Sequence, residues 1–150
     1  MIQKINQVTQ ESENAILHTK ASRVNSLADI AELIQDLLDT AQSSPTCIGL
    51  AANQIWKNTQ QPPPNVFVAL IKNSWQVFIN ATIAKSGGVY KPKEGCMSVP
   101  KKDIPILRRG KVFIHYLDNQ FKPHKRWYDK VDAIILQHET DHLNGKTINE

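Results

Sequence analysis

Near the carboxy-terminal end, two histidines stand four residues apart in a stretch that is otherwise apolar on one side: His138-Glu139-Thr140-Asp141-His142. Val131, Ile134, Ile135, His138 and His142 follow helical spacing between Asp129 and about Leu143, with Asp129 as the expected N-cap and Gly145 as the expected stop. On a helix, positions i and i+4 share a face, so both imidazoles can reach one metal ion. A glutamate beside the first histidine is then placed to take a proton from the water such a site activates. The competing reading, two histidines packed by chance against the core, is weakened because two unsatisfied imidazoles on an apolar face would be costly.

The rest of the chain supplies layers for such a helix to pack against. Between Ser26 and Ala41, apolar residues recur at spacings of three and four, which predicts an amphipathic helix capped by Ser26 with Asp29 as the reciprocal acid. Ser43-Ser44-Pro45 stops it. Lys57 to Asn65, with three consecutive prolines, reads as an exposed loop. Val66–Ile71 and Trp75–Ile79, joined by Lys72-Asn73-Ser74, read as a β-hairpin, and Ser86-Gly87-Gly88 as a turn. Lys111–Leu117 alternates like a strand buried on at least one face. The order is helix, strands, helix, without repeats, and residues 1–150 are read as one α+β domain.

Composition narrows the class. At 150 residues with 41% hydrophobic and 21% charged, the chain can remove roughly 70% of its unfolded surface from water and needs no disulfide staples. Its longest apolar run, Val66 to Ile71, is far short of the ~20 residues of a membrane helix. Met1-Ile2-Gln3-Lys4 lacks the apolar segment of a secretory signal, and two cysteines could form one bridge at most. A soluble protein is expected, cytoplasmic or, in a eukaryote, organellar after loss of a targeting peptide. The net charge of +4 and the basic groups around Lys101–Lys111 and Lys122–Arg126 read as a solvated face, because no aromatic interleaving typical of nucleic-acid surfaces is evident along the chain.

A catalytic metal needs a third protein ligand and an open position. A thiolate is one candidate, and Cys96 lies in the tight context Glu94-Gly95-Cys96-Met97-Ser98, where Gly95 allows close backbone approach. Burial as a small hydrophobe is the ordinary fate of a free cysteine. Taken alone, Cys96 stands no higher than Cys47.

A third segment, Cys47-Ile48-Gly49-Leu50-Ala51-Ala52-Asn53-Gln54, changes this when set beside Glu94–Ser98 and Gln137-His138-Glu139-Thr140-Asp141-His142. Together they resemble the peptide deformylase family, whose motifs G-x-G-L-A-A-x-Q, E-G-C-L-S and Q-H-E-x-D-H run in this order. The resemblance extends from the amino-terminal helix to the end of the chain. It implies an α+β fold in which antiparallel β-sheets pack around a central C-terminal helix carrying the HExxH motif, plus an N-terminal helix. It implies one divalent metal per chain on Cys96, His138 and His142, with Fe2+ expected first and Zn2+, Ni2+ or Co2+ also compatible with a thiolate and two imidazoles. Glu139 would be the base, and the Gln54 side-chain amide and the Met97 backbone N–H would stabilise the oxyanion. The implied substrates are N-formylmethionyl peptides, cleaved to formate and a free amino-terminal methionine. Ile48, Gly49, Leu50, Gly95 and Ile134 would contact substrate, and Ile48, Val131, Ile134 and Ile135 match positions that line the methionine pocket. Glu94, Arg108 and Asp141 would brace the ligands, with Arg108 paired to Glu94. The resemblance further implies a monomer that touches the ribosome weakly, with no membrane and no sequence-specific nucleic acid as partner.

The chain departs from the family pattern at Cys47, which replaces the first glycine, at Met97 for leucine, and at Asp103, where an arginine is frequent. It stops five residues after Gly145, without the carboxy-terminal extension of most bacterial members. Three other readings compete. One is a different metal hydrolase, such as a peptidase. Another is a deformylase-like protein that binds metal or formylated peptides but turns over poorly. The last is a closed structural metal site with Cys47 as fourth ligand.

Overall fold

The computed structural model of the chain describes residues 1–150, the side chain of Lys102 excepted. A first helix, α1, covers Glu11–Leu17 without a side-chain cap from Gln10. A helix of seven residues is far too short to be stable by propensity, and it is held by burial of Ile16 and Leu17. The stripe expected from Ser26 to Ala41 divides into a 3-10 turn at Leu27–Asp29 and a helix α2 over Ala31–Gln42. Contrary to expectation, Ser26 makes no capping bond with its side chain, and Ile30 occupies the cap position of α2. Burial explains the break: Ile30 is driven into the core beside Ile34, Leu37 and Ala41, and the backbone leaves helical geometry there with φ −123°.

Strand β1 (Gly49–Ala51) runs into a 3-10 turn at Ala52–Gln54. β2 (Val66–Ile71) and β3 (Ser74–Gly87) form the expected hairpin. Its turn residues Lys72 and Asn73 both have positive φ, 50° and 65°, as a two-residue turn matched to the strand twist requires. The strand does not end at Ile79. Asn80 (φ 52°) introduces a bulge between Ile79 and Thr82, and its side chain both accepts from and donates to the Val24 backbone at 2.8 Å. That bulge bends β3 away from β2, and its second half pairs elsewhere.

β4 (Lys93–Cys96) and β5 (Val99–Pro105) make a separate two-stranded sheet. β6 (Lys111–Leu117) was expected; β7 (Pro123–Asp129), whose sequence PHKRWYD is largely polar, was not. The main sheet is antiparallel in the order β1-β2-β3-β6-β7. The final helix, α3, covers Lys130–Leu143. Asp129 stands at its cap with extended backbone but no side-chain capping bond; the Lys130 N–H donates instead to Gly110 O at 2.9 Å. Gly145 ends the helix with φ +76°, and a Cβ there would lie 2.7 Å from His18 O, so the stop demands glycine.

β2 is buried on both faces. Val66 and Val68 belong to the core shared with α2, whereas Phe67, Ala69 and Ile71 belong to the core shared with α3. α3 brings Ile135, Leu136 and Leu143 against Phe78, Ile114 and Tyr116, which realises the expected packing of antiparallel sheets around the C-terminal helix. On β3 the side facing α2 is still covered at Val77 and Ile79, but along β6 burial is confined to the α3 side: Val112, Ile114 and Tyr116 are buried while Lys111, Phe113 and His115 are not.

Candidate metal centre and catalytic cavity

α3 presents His138 and His142 one turn apart, their ring centroids separated by 5.0 Å and their planes at 68°. The end of β4 brings Cys96 to them, with Sγ 3.3 Å from His142 Nε2. The ligand atoms of Cys96, His138 and His142 all lie within 4.8 Å of one another. Tertiary structure thus separates the two cysteines. Cys47 Sγ donates to Gly49 O at 3.2 Å and is not among the groups whose ligand atoms converge; burial pushes its thiol up to about 11.

Glu94, on the same β4 strand, fixes the orientation of His138. Its Oε1 is 2.8 Å from His138 Nδ1 and also accepts from Arg108 Nη2 at 2.8 Å, while Oε2 accepts from Arg108 Nε at 2.8 Å. Arg108, only 5% exposed, uses its remaining nitrogen Nη1 on Asp141 Oδ2 at 2.6 Å. Burial raises the Glu94 carboxyl, but the Arg108 and His138 hydrogen bonds outweigh it and hold the group down to about 2. A forked guanidinium between two carboxylates satisfies both without leaving an unpaired buried charge. The expected Arg108–Glu94 pair is therefore present, and Asp141 joins it.

A further part of this brace escaped the sequence reading. Gln137 clamps the chain beside Arg108: its Oε1 accepts from Arg109 N at 2.8 Å, and its Nε2 donates to Arg109 O at 2.8 Å. The signal was in the motif, since Gln137 immediately precedes His138, but its partner is 28 residues away.

Glu139 is 3% exposed, and its Oε1 has no hydrogen-bond partner among the described residues. Burial pushes its carboxyl up to about 7. The side chain rests on Gly49, where a Cβ would come within 2.5 Å of Glu139 Oε2 and 2.9 Å of Cδ. Gly49 is thus required for space as well as for any backbone contact. Gln54 is held at its oxygen, which accepts from Ala51 N at 3.0 Å, and its Nε2 points to Ser98 Oγ at 3.1 Å and Cys96 Sγ at 3.7 Å. Met97 is tied down through its carbonyl, which accepts from Gln7 Nε2 at 2.8 Å.

These groups open onto a cavity of about 420 Å³. Ile48, Gly49, Gly95 and Ile134 line it, and Val131 and Ile135 do so as well. Ile48 and Val131 are rim residues, 49% and 64% exposed. The Leu50 side chain does not line the cavity: it is fully buried in the core shared with α2, because alternation along β1 turns it away from the face that Gly49 presents, so any contact it makes with substrate is through its backbone. Asp103 also lines the wall. The donor set fits a borderline divalent metal, since one sulfur and two imidazole nitrogens converge beside an unpartnered buried carboxylate oxygen.

A family model for polypeptide deformylase matches residues 2–150. A peptide deformylase from Nitrosococcus oceani is 35% identical over 78% of this chain and 68% of its own length. Peptide deformylase 2 of Xanthomonas campestris is 36% identical over 87% of this chain and 77% of its own. Among solved structures, a peptide deformylase from Legionella pneumophila superposes with TM-score 0.84 at 33% identity, covering 99% of this chain and 84% of that one. A Synechococcus elongatus peptide deformylase in complex with actinonin gives 0.83 at 27% identity, covering 96% and 75%. With the ligand cluster, the braced histidine and the match over nearly its whole length, the chain belongs to the polypeptide deformylase family.

Proposed function

We propose that this protein hydrolyses the formamide at the amino terminus of N-formylmethionyl peptides, with water consumed and formate and a free amine released. The observation that carries the reading is Glu139, a buried carboxylate with a free oxygen, placed beside the Cys96–His138–His142 cluster on the wall of an apolar cavity. Those three residues would hold one divalent metal, Fe2+ in the first instance, with Zn2+, Ni2+ or Co2+ as substitutes. When bound, the metal supplies Lewis-acid chemistry, acidifying water and polarising a carbonyl.

The chain's own groups do the remaining work. Glu139 takes a proton from the attacking water and passes it to the nitrogen of the departing amine, a shuttle suited to a carboxyl that burial holds near neutrality. Gln54 Nε2, with its amide orientation locked by Ala51 N, and the Met97 backbone N–H donate to the oxygen that gains charge; loss of one such donor typically costs ~10²–10³ in rate. Ile48, Ile134 and Ile135 receive the methionine side chain, and the Gly49 and Gly95 backbones align the peptide. Glu94, Arg108 and Asp141 keep His138 in place. A cytoplasmic monomer with weak ribosome contact completes the reading.

The test is formate release from a short formyl-methionyl peptide by protein purified anaerobically with Fe2+ or loaded with Ni2+, beside Glu139→Ala. Turnover that disappears in the variant and is blocked by actinonin is expected. Full metal occupancy without turnover would refute the enzyme reading and leave a binding protein.

A further inference from the structure

The face of the main sheet opposite α3 carries an arrangement that the linear sequence hid. Strand pairing sets Phe113 on β6 between Lys85 on β3 and Trp127 on β7, and one step along it sets His115 between Thr82 and Lys125. Paired residues share a face, so three aromatic rings and two lysines come together from three strands. Lys111 adds a third cation, its side chain crossing the open backbone of Gly87, where a Cβ would meet its Cε at 2.9 Å. Lys85 Nζ lies 5.8 Å from the Phe113 centroid, and Lys111 Nζ 5.3 Å from that of Trp127. Phe113 and Trp127 are 5.2 Å apart, and Trp127 is 51% exposed.

We propose that this face binds single-stranded RNA, stacking unpaired bases on Phe113 and Trp127 while Lys85, Lys111 and Lys125 contact the phosphates. Three observations favour that occupant. The charge is complementary, with three lysines set against one acid, Asp129, on the paired rows. Ring faces already engaged by cations are the surfaces a base would take over, with the ammonium groups released to phosphate. The Thr82 hydroxyl and the His115 ring form a cross-strand pair beside the aromatics, where they offer hydrogen bonds to a ribose 2′-hydroxyl. An anionic membrane fits less well, since the exposed part of the face is aromatic and cationic with no large aliphatic side chain to insert. Stacking of this kind reads no base sequence, and the cavity lies on the α3 side, so the two sites can be occupied together.

The experiment is fluorescence anisotropy of a labelled oligouridylate of about 12 nucleotides with the full-length protein. Binding between about 1 and 100 µM is expected, with a log–log salt slope near −2 for three lysines. Trp127→Ala with Phe113→Ala should weaken it by roughly tenfold or more. Lys85→Gln with Lys125→Gln, two exposed changes that leave the core intact, should flatten the salt slope, and both variants should release formate at the unaltered rate. Absence of binding at low salt, binding unchanged in the Lys85→Gln/Lys125→Gln protein, or equal affinity for the deoxythymidine oligomer would overturn the assignment. So would capture by phosphatidylglycerol vesicles without RNA binding.

Discussion

Replacing Gly49 by alanine isolates the placement of the general base from the metal site. The added Cβ would lie 2.5 Å from Glu139 Oε2, 2.9 Å from Cδ and 3.0 Å from Cγ. An ordinary contact needs ~3.5 Å, so the carboxylate must retreat by ~1 Å. The backbone cannot absorb the shift easily, because Gly49 is paired with Ala69 in β1–β2; the flexible end of Glu139 moves instead. A displacement of about 1 Å at a reacting group costs ~10² in rate, and overpacking a buried site costs about 1–3 kcal/mol of stability. Gly49 lies outside the Cys96–His138–His142 cluster. Gly49→Ala should therefore keep one metal per chain, lose about two orders of magnitude in kcat, and melt a few degrees lower. Steady-state formate release with metal analysis on the same samples decides it. An unimpaired kcat would show that Glu139 works from another position. Loss of metal would show that the substitution acts on the ligands rather than the base.

Arg108→Ala leaves the Glu94 carboxylate buried without its fork and should destabilise the fold by about 3–5 kcal/mol, while loosening His138 enough to lower metal affinity ~10–100-fold; denaturant melts and metal titration read the two effects, and Arg108→Lys should restore little of either because it lacks the planar fork. Cys47→Gly removes a thiol bonded to Gly49 O and should leave metal content unchanged with activity equal or higher; weakened metal binding would count against the three-ligand site. The His124 hydrogen bond holds Asp118 down to about 2 from its ordinary 3.8. Because the folded-state value is the lower one, the contribution is complete above 3.8 and disappears as pH falls towards about 2. The small stability advantage of the protein over Asp118→Asn, measured by urea unfolding, should vanish across that window; an advantage that grew in acid would reverse the argument.

Much of the site was legible because its geometry is local. His138 and His142 share a helix face by spacing alone, Glu139 follows from adjacency to the first histidine, and the Val66–Ile71 and Lys111–Leu117 strands follow from apolar runs and alternation. Motif order added the rest of the candidate residues through resemblance to a family. What stayed hidden was set by partners distant in sequence. The capping of α2 failed because Ile30 gained more from the core than Ser26 could from a cap, and Leu50 left the cavity because strand alternation sent its side chain into that same core.

Sequence by itself determined the helix bearing the two histidines, since a repeat of 3.6 residues per turn is a property of the backbone and needs no neighbours. Motif order named Cys96 rather than Cys47, but only tertiary structure brings its sulfur to the histidines, because coordination requires atoms within a few ångströms and the end of β4 must fold over α3 to supply that proximity. Tertiary structure also decided that Gly49 must lack a side chain, that Gln137 reaches back to Arg109, and that Phe113 and Trp127 meet between lysines. Each of these depends on distances between segments, which a linear pattern does not contain.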